Sequence, residues 1–344
     1  MTRALKLIGS VLSVILALLS LSTVAAEPEW GPIDLKSRVV APGTKDKFTF
    51  FAKPRFESGF LDAPLWAARG AEPGPTLCVT AGIHGDEINS VEIARRSFHA
   101  VEPQKLKGTL IVVPEVNSLG FRTMNRYMID RRDLNREFPG SEKGSAAAQV
   151  AHALFERVVR QCEYLIDLHT GSNFRANVPQ IRVDLKSPTS LALAENFGVG
   201  VMIGGSGPKG SLRSEAVKAG VAAIIYEAGP PYAFIEHEID EGTRGVLNVM
   251  DYLGMYESTV QRAPSKKLAG SSWVRVPRGG GGIFMTKVKL GDSVEKGDLL
   301  GTLTDPMTDE VHELRATRTG VVIGAAQPQV VLSGYGVFHV ATFQ

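Results

Sequence analysis

The stretch TLCVTAGIHGDEINSVEIARR, residues 76–96, passes from an apolar run to a pattern with helical spacing. The apolar run is continuous enough for a strand buried on both faces, and apolar residues then recur at helical intervals from Ile88 to Phe98. The turn between them holds His84 and Glu87, three residues apart, among glycines. Such a pair suits two ligands of one metal ion; the alternative is an ordinary strand-to-helix turn.

Apolar strands alternate with amphipathic helices through most of the chain. Further buried strands are predicted in GTLIVVPEVN at 108–117, YLIDLHTG at 164–171 and VAAIIYEAG at 221–229, and helices at 145–161 and 241–255. This alternation predicts an α/β fold with a mainly parallel sheet covered on both faces. The ligand site of such a sheet lies beyond the carboxyl ends of its strands, where the His84–Glu87 pair, His169 and Glu227 all stand.

The pattern changes towards the C-terminus. A polar linker is predicted at 255–270, and short β-runs with glycine turns fill 271–344. GDSVEKGDLLGTL at 291–303 resembles part of the biotinyl- and lipoyl-type barrel-sandwich domains, but TDPMTDEVHEL at 304–314 lacks the lysine of a carrier hairpin. We therefore predict a small all-β, barrel-sandwich-like domain with a structural or cleft-lining role, after a catalytic domain at 27–254.

The N-terminus is typical of a secretory signal peptide at 1–26. Arg3 and Lys6 precede an apolar stretch at 7–21, and the small residues of STVAA follow at 22–26. A retained membrane anchor is the alternative, but the apolar stretch is short for one. We therefore expect a periplasmic or secreted protein without a stable membrane anchor.

The amino-acid composition restricts the classes of binding partner that we expect. The chain has 344 residues, 44% hydrophobic and 22% charged, which is ordinary for a globular protein of two domains. The net charge of +2 equals the charge of Arg3 and Lys6, so the rest of the chain is close to neutral. Because no run of basic residues appears, we expect a small-molecule partner and no nucleic acid. The oligomeric state is not predicted.

The two cysteines, Cys78 and Cys162, each precede a candidate histidine by six or seven residues on predicted core strands. An exported chain could pair them if the two strands are neighbours. The interpretation favoured by the sequence is two buried, unpaired apolar residues.

Three candidate ligands match a hydrolytic zinc site. Such a site needs three protein ligands and one open position, and His84, Glu87 and His169 supply two imidazoles and one carboxylate. Asp167 lies two residues before His169, on the same face of the strand, and is expected to orient it. Glu227 is the candidate general base and acid, with an ordinary strand-end carboxylate as the alternative.

The loop NRYMIDRRDLNREFPG, residues 125–140, supplies cations. Asn135 and Arg136 suit a clamp for a substrate carboxylate, and Arg126 suits polarisation of the scissile carbonyl. A solvated charge cluster, with arginines paired to Asp130 and Asp133, is the plainer interpretation for part of this loop. Outside the loop, Arg213 is either a residue of the acyl pocket or a helix surface residue.

The ordered motifs GIHGDE, DLNREFPG, DLHTG and YEAG resemble those of the succinylglutamate desuccinylase/aspartoacylase family of zinc carboxypeptidase-like (M14-type) hydrolases. The resemblance spans most of the chain after residue 26 and implies a three-layer α/β/α domain with a mixed eight-stranded sheet. It implies one Zn²⁺ per chain on His84, Glu87 and His169.

The same resemblance implies roles around the metal. Glu227 is the general base for a zinc-activated water, and Asn135 and Arg136 hold the substrate carboxylate. Arg126 is assigned to the scissile carbonyl, with Arg132 as the rival because spacing in this loop varies within the family.

The expected function is therefore an exported zinc hydrolase that cleaves the amide bond of an N-acyl amino acid. A zinc carboxypeptidase for short peptides such as cell-wall fragments is the alternative. A periplasmic binding protein with a decayed enzyme fold is the third hypothesis. The acyl group and the amino acid are not predicted.

Overall fold

A computed structural model describes residues 33–35, 38–49, 62–259 and 261–344. The predicted signal peptide lies outside the described residues. The described residues belong to one compact unit. In the described part of the chain, none of the helices has the length and apolar character needed to cross a membrane.

The elements before residue 254 follow the predicted alternation. The strands are β1 Ile33–Asp34, β2 Val39–Val40, β3 Thr44–Thr49, β4 Pro64–Arg69, β5 Glu72–Thr80, β6 Lys107–Val113, β7 Tyr164–His169, β8 Arg175–Val183, β9 Val201–Gly204 and β10 Ala222–Gly229. The helices are α1 Ile88–Ala100, α2 Ser118–Thr123, α3 Ala146–Arg157, α4 Pro188–Phe197, α5 Leu212–Lys218 and α6 Glu236–Tyr252. Short 3₁₀ turns lie at Leu134–Arg136 and Val159–Gln161.

Eight of these strands form a mixed sheet in the order β9-β8-β10-β7-β5-β6-β4-β3. The central strands β6, β5, β7 and β10 are parallel, whereas β8 pairs antiparallel with β10, and β4 pairs antiparallel with β6 and β3. The prediction of a mainly parallel sheet, made from the alternation alone, is therefore wrong for the outer strands. The sheet is mixed, as the family resemblance implies. Alternation does not reveal the direction of a strand such as β8, which follows β7 in the chain with no helix between them.

Helices pack against both faces of this sheet, because the central strands carry apolar side chains on both faces. Along β5, Leu77 and Val79 belong to one apolar core, and Cys78 between them belongs to another. Residues of α1, α4 and α6 pack into the first core, and residues of α3 and α5 pack into the second. Burial of these two cores is the main source of stability for the sheet.

Cys78 and Cys162 form a disulfide, so the sequence interpretation of two unpaired cysteines is wrong. Cys78 lies on β5, and Cys162 lies two residues before β7, the strand that pairs with β5. Their Cα atoms are 5.8 Å apart. The sequence alone does not distinguish a disulfide from two unpaired buried cysteines. The two side chains meet only if their strands are neighbours in the sheet.

The C-terminal strands extend the same sheet. They are β11 Lys266–Arg275, β12 Gly281–Thr286, β13 Ser293–Val294, β14 Leu299–Thr304, β15 Val311–Arg315, β16 Gly320–Ala326, β17 Gln329–Leu332 and β18 Gly336–Phe343. β11 pairs parallel with β9, and the sheet continues through β18, β16 and β13. A second sheet has the order β15-β14-β12-β17. β11 begins inside the predicted linker, and the domain boundaries and the barrel-sandwich likeness stay predictions.

The central strands β5, β7 and β10 are neighbours and end at one edge of the sheet. Thr80 of β5 is in register with Asp167 of β7, and His169 of β7 is in register with Glu227 of β10. Three segments that are far apart in the chain therefore bring their polar ends together at this edge.

Candidate metal centre and active site

His84 and Glu87 lie in the turn that joins β5 to α1. Gly82 has a left-handed backbone with φ of 61°, which favours glycine. A Cβ atom at Gly85 would lie 1.9 Å from the backbone of Gly120, so this position admits no side chain. The turn is therefore tight, and it holds His84 and Glu87 buried beside the strand end.

His169 completes a buried trio with His84 and Glu87. One carboxylate oxygen of Glu87 lies 2.7 Å from Nδ1 of His84, and the other lies 2.7 Å from Nδ1 of His169. One donor atom from each residue lies within 4.8 Å of the others. All three are buried. Two imidazoles and one carboxylate are a frequent donor set for zinc.

The Nε2 atoms of both imidazoles face further carboxylates. Nε2 of His169 lies 2.9 Å from Oδ2 of Asp167, and Nε2 of His84 lies 3.1 Å from Oδ1 of Asp133. A carboxylate in this place holds the imidazole proton on Nε2 and leaves the Nδ1 lone pair for a metal. Asp167 lies where the sequence predicts it, whereas the contact between Asp133 and His84 is absent from the sequence analysis.

The charges of the trio are coupled. Burial raises the pKa of a carboxyl, yet the two imidazoles hold the pKa of Glu87 well below its ordinary value. Burial also disfavours imidazolium, but Asp167 and Glu87 hold the pKa of His169 well above its ordinary value. The pKa of Asp133 is lowered, against the effect of burial, by a neighbouring imidazole and guanidinium. Glu87 and Asp133 are therefore ionised, the state that a divalent cation requires.

Arg126 reaches this centre from the loop after α2. Its Nη2 donates to Oδ2 of Asp133 at 2.7 Å, and its Nη1 donates to Oγ of Ser172 at 2.5 Å. Nη1 also lies 3.3 Å from Oε1 of Glu87. The guanidinium thus lies beside the predicted metal ligands, where a polarised carbonyl would need it.

Arg132, the rival in the sequence analysis, is not brought to the centre. Its side chain is half exposed, with nitrogen–oxygen distances of 3.8 Å to Asp130 and 3.4 Å to Glu137. It is absent from the residues that line the cavity around the metal ligands. The loop therefore divides into a part that enters the site and a part that is a solvated charge cluster.

Asn135 and Arg136 occupy the 3₁₀ turn Leu134–Arg136 within this loop. The amide oxygen of Asn135 accepts from the backbone N–H of Leu212 at 2.8 Å, which fixes the side chain beside α5. Nη1 of Arg136 donates to the carbonyl of Asn135 at 2.6 Å. Among the residues that the structure describes, Arg136 forms no ion pair, so its charge is available to a ligand.

Glu227 lies on β10 beside His169. Its Oε2 accepts from Nδ2 of Asn177 at 2.7 Å and from Nη2 of Arg182 at 2.7 Å. Both donors come from β8, the antiparallel neighbour of β10. Because both bonds go to Oε2, the carboxylate is held in place while neither bond occupies Oε1.

These residues line one cavity of about 510 Å³. Its lining includes more cations than anions: Arg126, Arg136, Arg175, Arg182, Arg213 and Arg275 against Glu87 and Glu227. Arg213 is only 4% exposed, so its assignment to the helix surface is wrong. Burial and the nearby Arg182 lower the pKa of Arg213. A cavity with this balance favours anionic ligands.

The C-terminal strands supply one wall of the cavity through Trp273 and Arg275. The guanidinium of Arg175 lies over the ring of Trp273 at 5.6 Å and over the ring of Tyr335 at 4.8 Å. Trp273 stacks on His339 with 4.6 Å between the ring centroids. The cleft-lining role predicted for this part of the chain agrees with these contacts.

The residues of the site that were not predicted from the sequence include Ser172, Asn177, Arg182, Trp273 and Arg275. Ser172 follows the DLHTG motif directly, and this proximity was a usable signal. Asn177 and Arg182 lie on β8, a strand without a continuous apolar run. The C-terminal pair reaches the cavity because β11 pairs with β9 and β16 pairs with β8. Nothing local in the sequence marks those four residues.

Comparison with known proteins adds sequence evidence. The profile of the succinylglutamate desuccinylase/aspartoacylase catalytic domain matches residues 73–253. The N-alpha-acetyl-L-2,4-diaminobutyric acid deacetylase of Halomonas elongata is 24% identical over 291 residues, which cover 80% of this chain and 84% of that protein.

Solved structures show the same fold. A succinylglutamate desuccinylase/aspartoacylase from Rhodobacter sphaeroides has a TM-score of 0.78 at 24% identity, covering 89% of this chain and 98% of that one. The product-bound ectoine utilization protein EutE (DoeB) from Ruegeria pomeroyi has a TM-score of 0.78 at 25% identity, covering 90% of this chain and 98% of that one. The likeness extends over both the N-terminal sheet and the C-terminal strands.

Proposed function

Because the chain belongs to the succinylglutamate desuccinylase/aspartoacylase family, whose profile matches over half of it, we propose that it is a zinc-dependent hydrolase that cleaves the amide bond of an N-acyl amino acid. The observation that carries the proposal is the buried trio of His84, Glu87 and His169 beside Glu227. A relative that is named as the deacetylase of an acetylated amino acid supports it.

The three residues fit zinc by the chemistry of their donors. The Nδ1 atoms of His84 and His169 converge on Glu87, and Asp133 and Asp167 face the opposite ring nitrogens. This arrangement selects the imidazole tautomer that binds a metal through Nδ1. Bound zinc supplies Lewis acidity and a water molecule that loses its proton near neutral pH.

Two groups of residues position the substrate in this proposal. Arg136 lies next to Asn135 and forms no ion pair with the residues that the structure describes, so a carboxylate of the amino acid is a suitable partner. Arg126 donates from a fixed place beside Glu87 and stabilises negative charge that develops on the carbonyl oxygen.

Glu227 is the general base and general acid in this proposal. Asn177 and Arg182 hold Oε2, so Oε1 accepts the proton of the attacking water and later donates it to the leaving amine. General acid–base catalysis of this kind contributes about 100- to 10,000-fold to the rate. The ion pair with Arg182, at 2.7 Å, holds the carboxylate in position beside His169.

The decisive experiment measures metal content and turnover together. Zinc-loaded protein is assayed against acetylated and succinylated amino acids, and Glu227→Gln is compared with the surface variant Glu195→Gln. We expect one zinc per chain in all three proteins and loss of turnover in Glu227→Gln alone. Full turnover by Glu227→Gln would refute the mechanism.

The same experiment tests the two other functions. Hydrolysis of short peptides or muropeptides, without hydrolysis of acylated amino acids, would establish the carboxypeptidase in place of the deacylase. A protein that holds no metal and hydrolyses none of these compounds would be a binding protein.

We also propose that the chain is exported. The support is the charged, apolar and small-residue order of residues 1–26. N-terminal sequencing of the mature protein should find a cut after Ala25 or Ala26, and an intact Met1 in a cytoplasmic fraction would contradict it.

A further inference from the structure

Two exposed aromatic side chains lie together beside the cavity. The side chain of Phe174 is 48% exposed and that of Tyr232 is 37% exposed, although both are large and largely apolar. Their ring centroids are 5.1 Å apart and their planes are tilted by 34°. An exposed pair of rings next to a ligand cavity is typical of a binding surface.

The backbone of both aromatic residues is held by hydrogen bonds. Phe174 and Tyr232 have left-handed conformations, with φ of 55° and 64°, which are uncommon for bulky residues. The carbonyl of Phe174 accepts from the N–H of Gln327 at 2.7 Å and from Nε2 of Gln329 at 3.0 Å. The N–H of Tyr232 donates to the carbonyl of Asp86 at 2.9 Å. A segment whose backbone is held in this way loses little backbone entropy when a ligand binds.

Chain connections place this pair next to the cavity lining. Asn173 lines the cavity and directly precedes Phe174. Ser172 lines it too, and Oγ of Ser172 lies 3.4 Å from the side chain of Asp86, whose carbonyl holds Tyr232. The aromatic pair therefore flanks the cavity on the side of Ser172.

Arg126 separates this side from the side that binds the amino acid. One of its terminal nitrogens bonds Ser172, and the other bonds Asp133, which lies two residues before Asn135. With the carboxylate at Arg136 and the carbonyl at Arg126, as the proposed function requires, the acyl group continues towards Ser172. Phe174 lies two residues after Ser172 and directly after Asn173, both of which line this side of the cavity.

The volume of the cavity agrees with a larger acyl group. An acetylated amino acid has about a dozen non-hydrogen atoms, whereas pockets of roughly 300–1,000 Å³ commonly enclose ligands of drug size. The cavity of about 510 Å³ lies within that range.

We infer that Phe174 and Tyr232 form a subsite for the acyl group, and that the substrate is an amino acid N-acylated with an apolar or aromatic group larger than acetyl. The inference rests on the proposed function and names its substrate class. The two rings offer an apolar surface to the acyl chain outside the arginine-lined part of the cavity.

The test is a series of acyl groups on one amino acid: acetyl, butanoyl, hexanoyl, phenylacetyl and succinyl. Full burial of a methylene is worth about fourfold in kcat/KM, and half-exposed rings reduce this to about twofold, so hexanoyl should exceed acetyl by about tenfold. In the double variant Phe174→Gly/Tyr232→Gly the ratio of hexanoyl to acetyl should fall towards one. Glycine suits both left-handed positions, and a thermal melt checks that the variant folds.

Phe234→Ala is the matched control, because Phe234 is 60% exposed and lies outside the pair. It should leave the ratio unchanged. The Kd values of the acyl compounds, measured on Glu227→Gln, should follow the same order as kcat/KM.

Turnover of acetyl derivatives without gain for longer acyl groups would overturn the inference and leave the proposed function standing. A preference for succinyl that does not depend on the two rings would also overturn it. Failure of every compound, acetyl included, would remove both the proposed function and this inference.

Discussion

Asp133 offers the sharpest test of how the metal centre is built. Its Oδ1 lies 3.1 Å from Nε2 of His84 and accepts the N–H of Asn135 at 2.9 Å, while its Oδ2 accepts from Arg126 at 2.7 Å. The variant Asp133→Asn has nearly the same shape and retains one oxygen acceptor. It removes the negative charge that supports the imidazole proton on Nε2.

These contacts determine how much zinc affinity Asp133→Asn should lose. Loss of a carboxylate that orients a metal-binding histidine weakens metal affinity by about 10- to 100-fold, or roughly 1.4–2.7 kcal/mol. The side chain of Asp133 is 19% exposed, so water screens part of the charge. We therefore expect the lower end of the range, about a tenfold weaker Kd for Zn²⁺.

The assay is competition between the metal-free protein and a fluorescent zinc chelator. Asp130→Asn is the matched control: it lies in the same loop, but its carboxylate contacts Arg132 and the N–H of Ala147. The control should bind zinc like the parent protein. A Kd for Asp133→Asn within threefold of the parent would refute the role assigned to this carboxylate.

Three further outcomes follow from the structure. Arg136→Lys should raise KM about tenfold with a smaller change in kcat, because lysine cannot form the bidentate pair; the same change at Arg132 should leave KM unaltered. Reduction of the Cys78–Cys162 bridge should lower the free energy of unfolding by about 2–4 kcal/mol in urea titrations, and a variant with both cysteines replaced by alanine should not respond to reductant. Burial, helped by Glu241, raises the pKa of Glu238 to about 7, so the folded state holds a proton that the unfolded state releases and stability falls as pH rises from about 4.5 to 7. Glu238→Gln should therefore be more stable than the parent by about 1–3 kcal/mol at pH 8 and equal to it at pH 4; an equal pH dependence in both would contradict this reasoning.

The histidines and carboxylates of the metal centre were predictable because they end apolar strands. In a sheet with parallel central strands the carboxyl ends meet at one edge, so His84, His169 and Glu227 were expected to approach one another. The structure adds their contacts: Glu87 bridges both imidazoles. Local pattern was sufficient because hydrophobic periodicity and strand ends are properties of short segments.

The loop of residues 125–140 was only partly predictable. Its arginines and aspartates are equivalent by composition, and the sequence placed Arg126 and Arg132 as rivals for one role. Packing separates them, because Arg126 is drawn towards Asp133 and Ser172 while Arg132 stays in water. Charged residues in a loop carry no periodicity that would mark which of them faces inward.

By itself, the sequence determined the alternation of strands and helices, the all-β character of the C-terminus and the residues that end the central strands. Only the tertiary structure decided the disulfide, the directions of β8 and β4, the clamp of Asn177 and Arg182 on Glu227, and the wall formed by Trp273 and Arg275. The physical reason is the separation along the chain between the residues that interact. Periodicity and turn chemistry act over a few residues, whereas these contacts join segments separated by 40 residues or more and depend on which strands become neighbours.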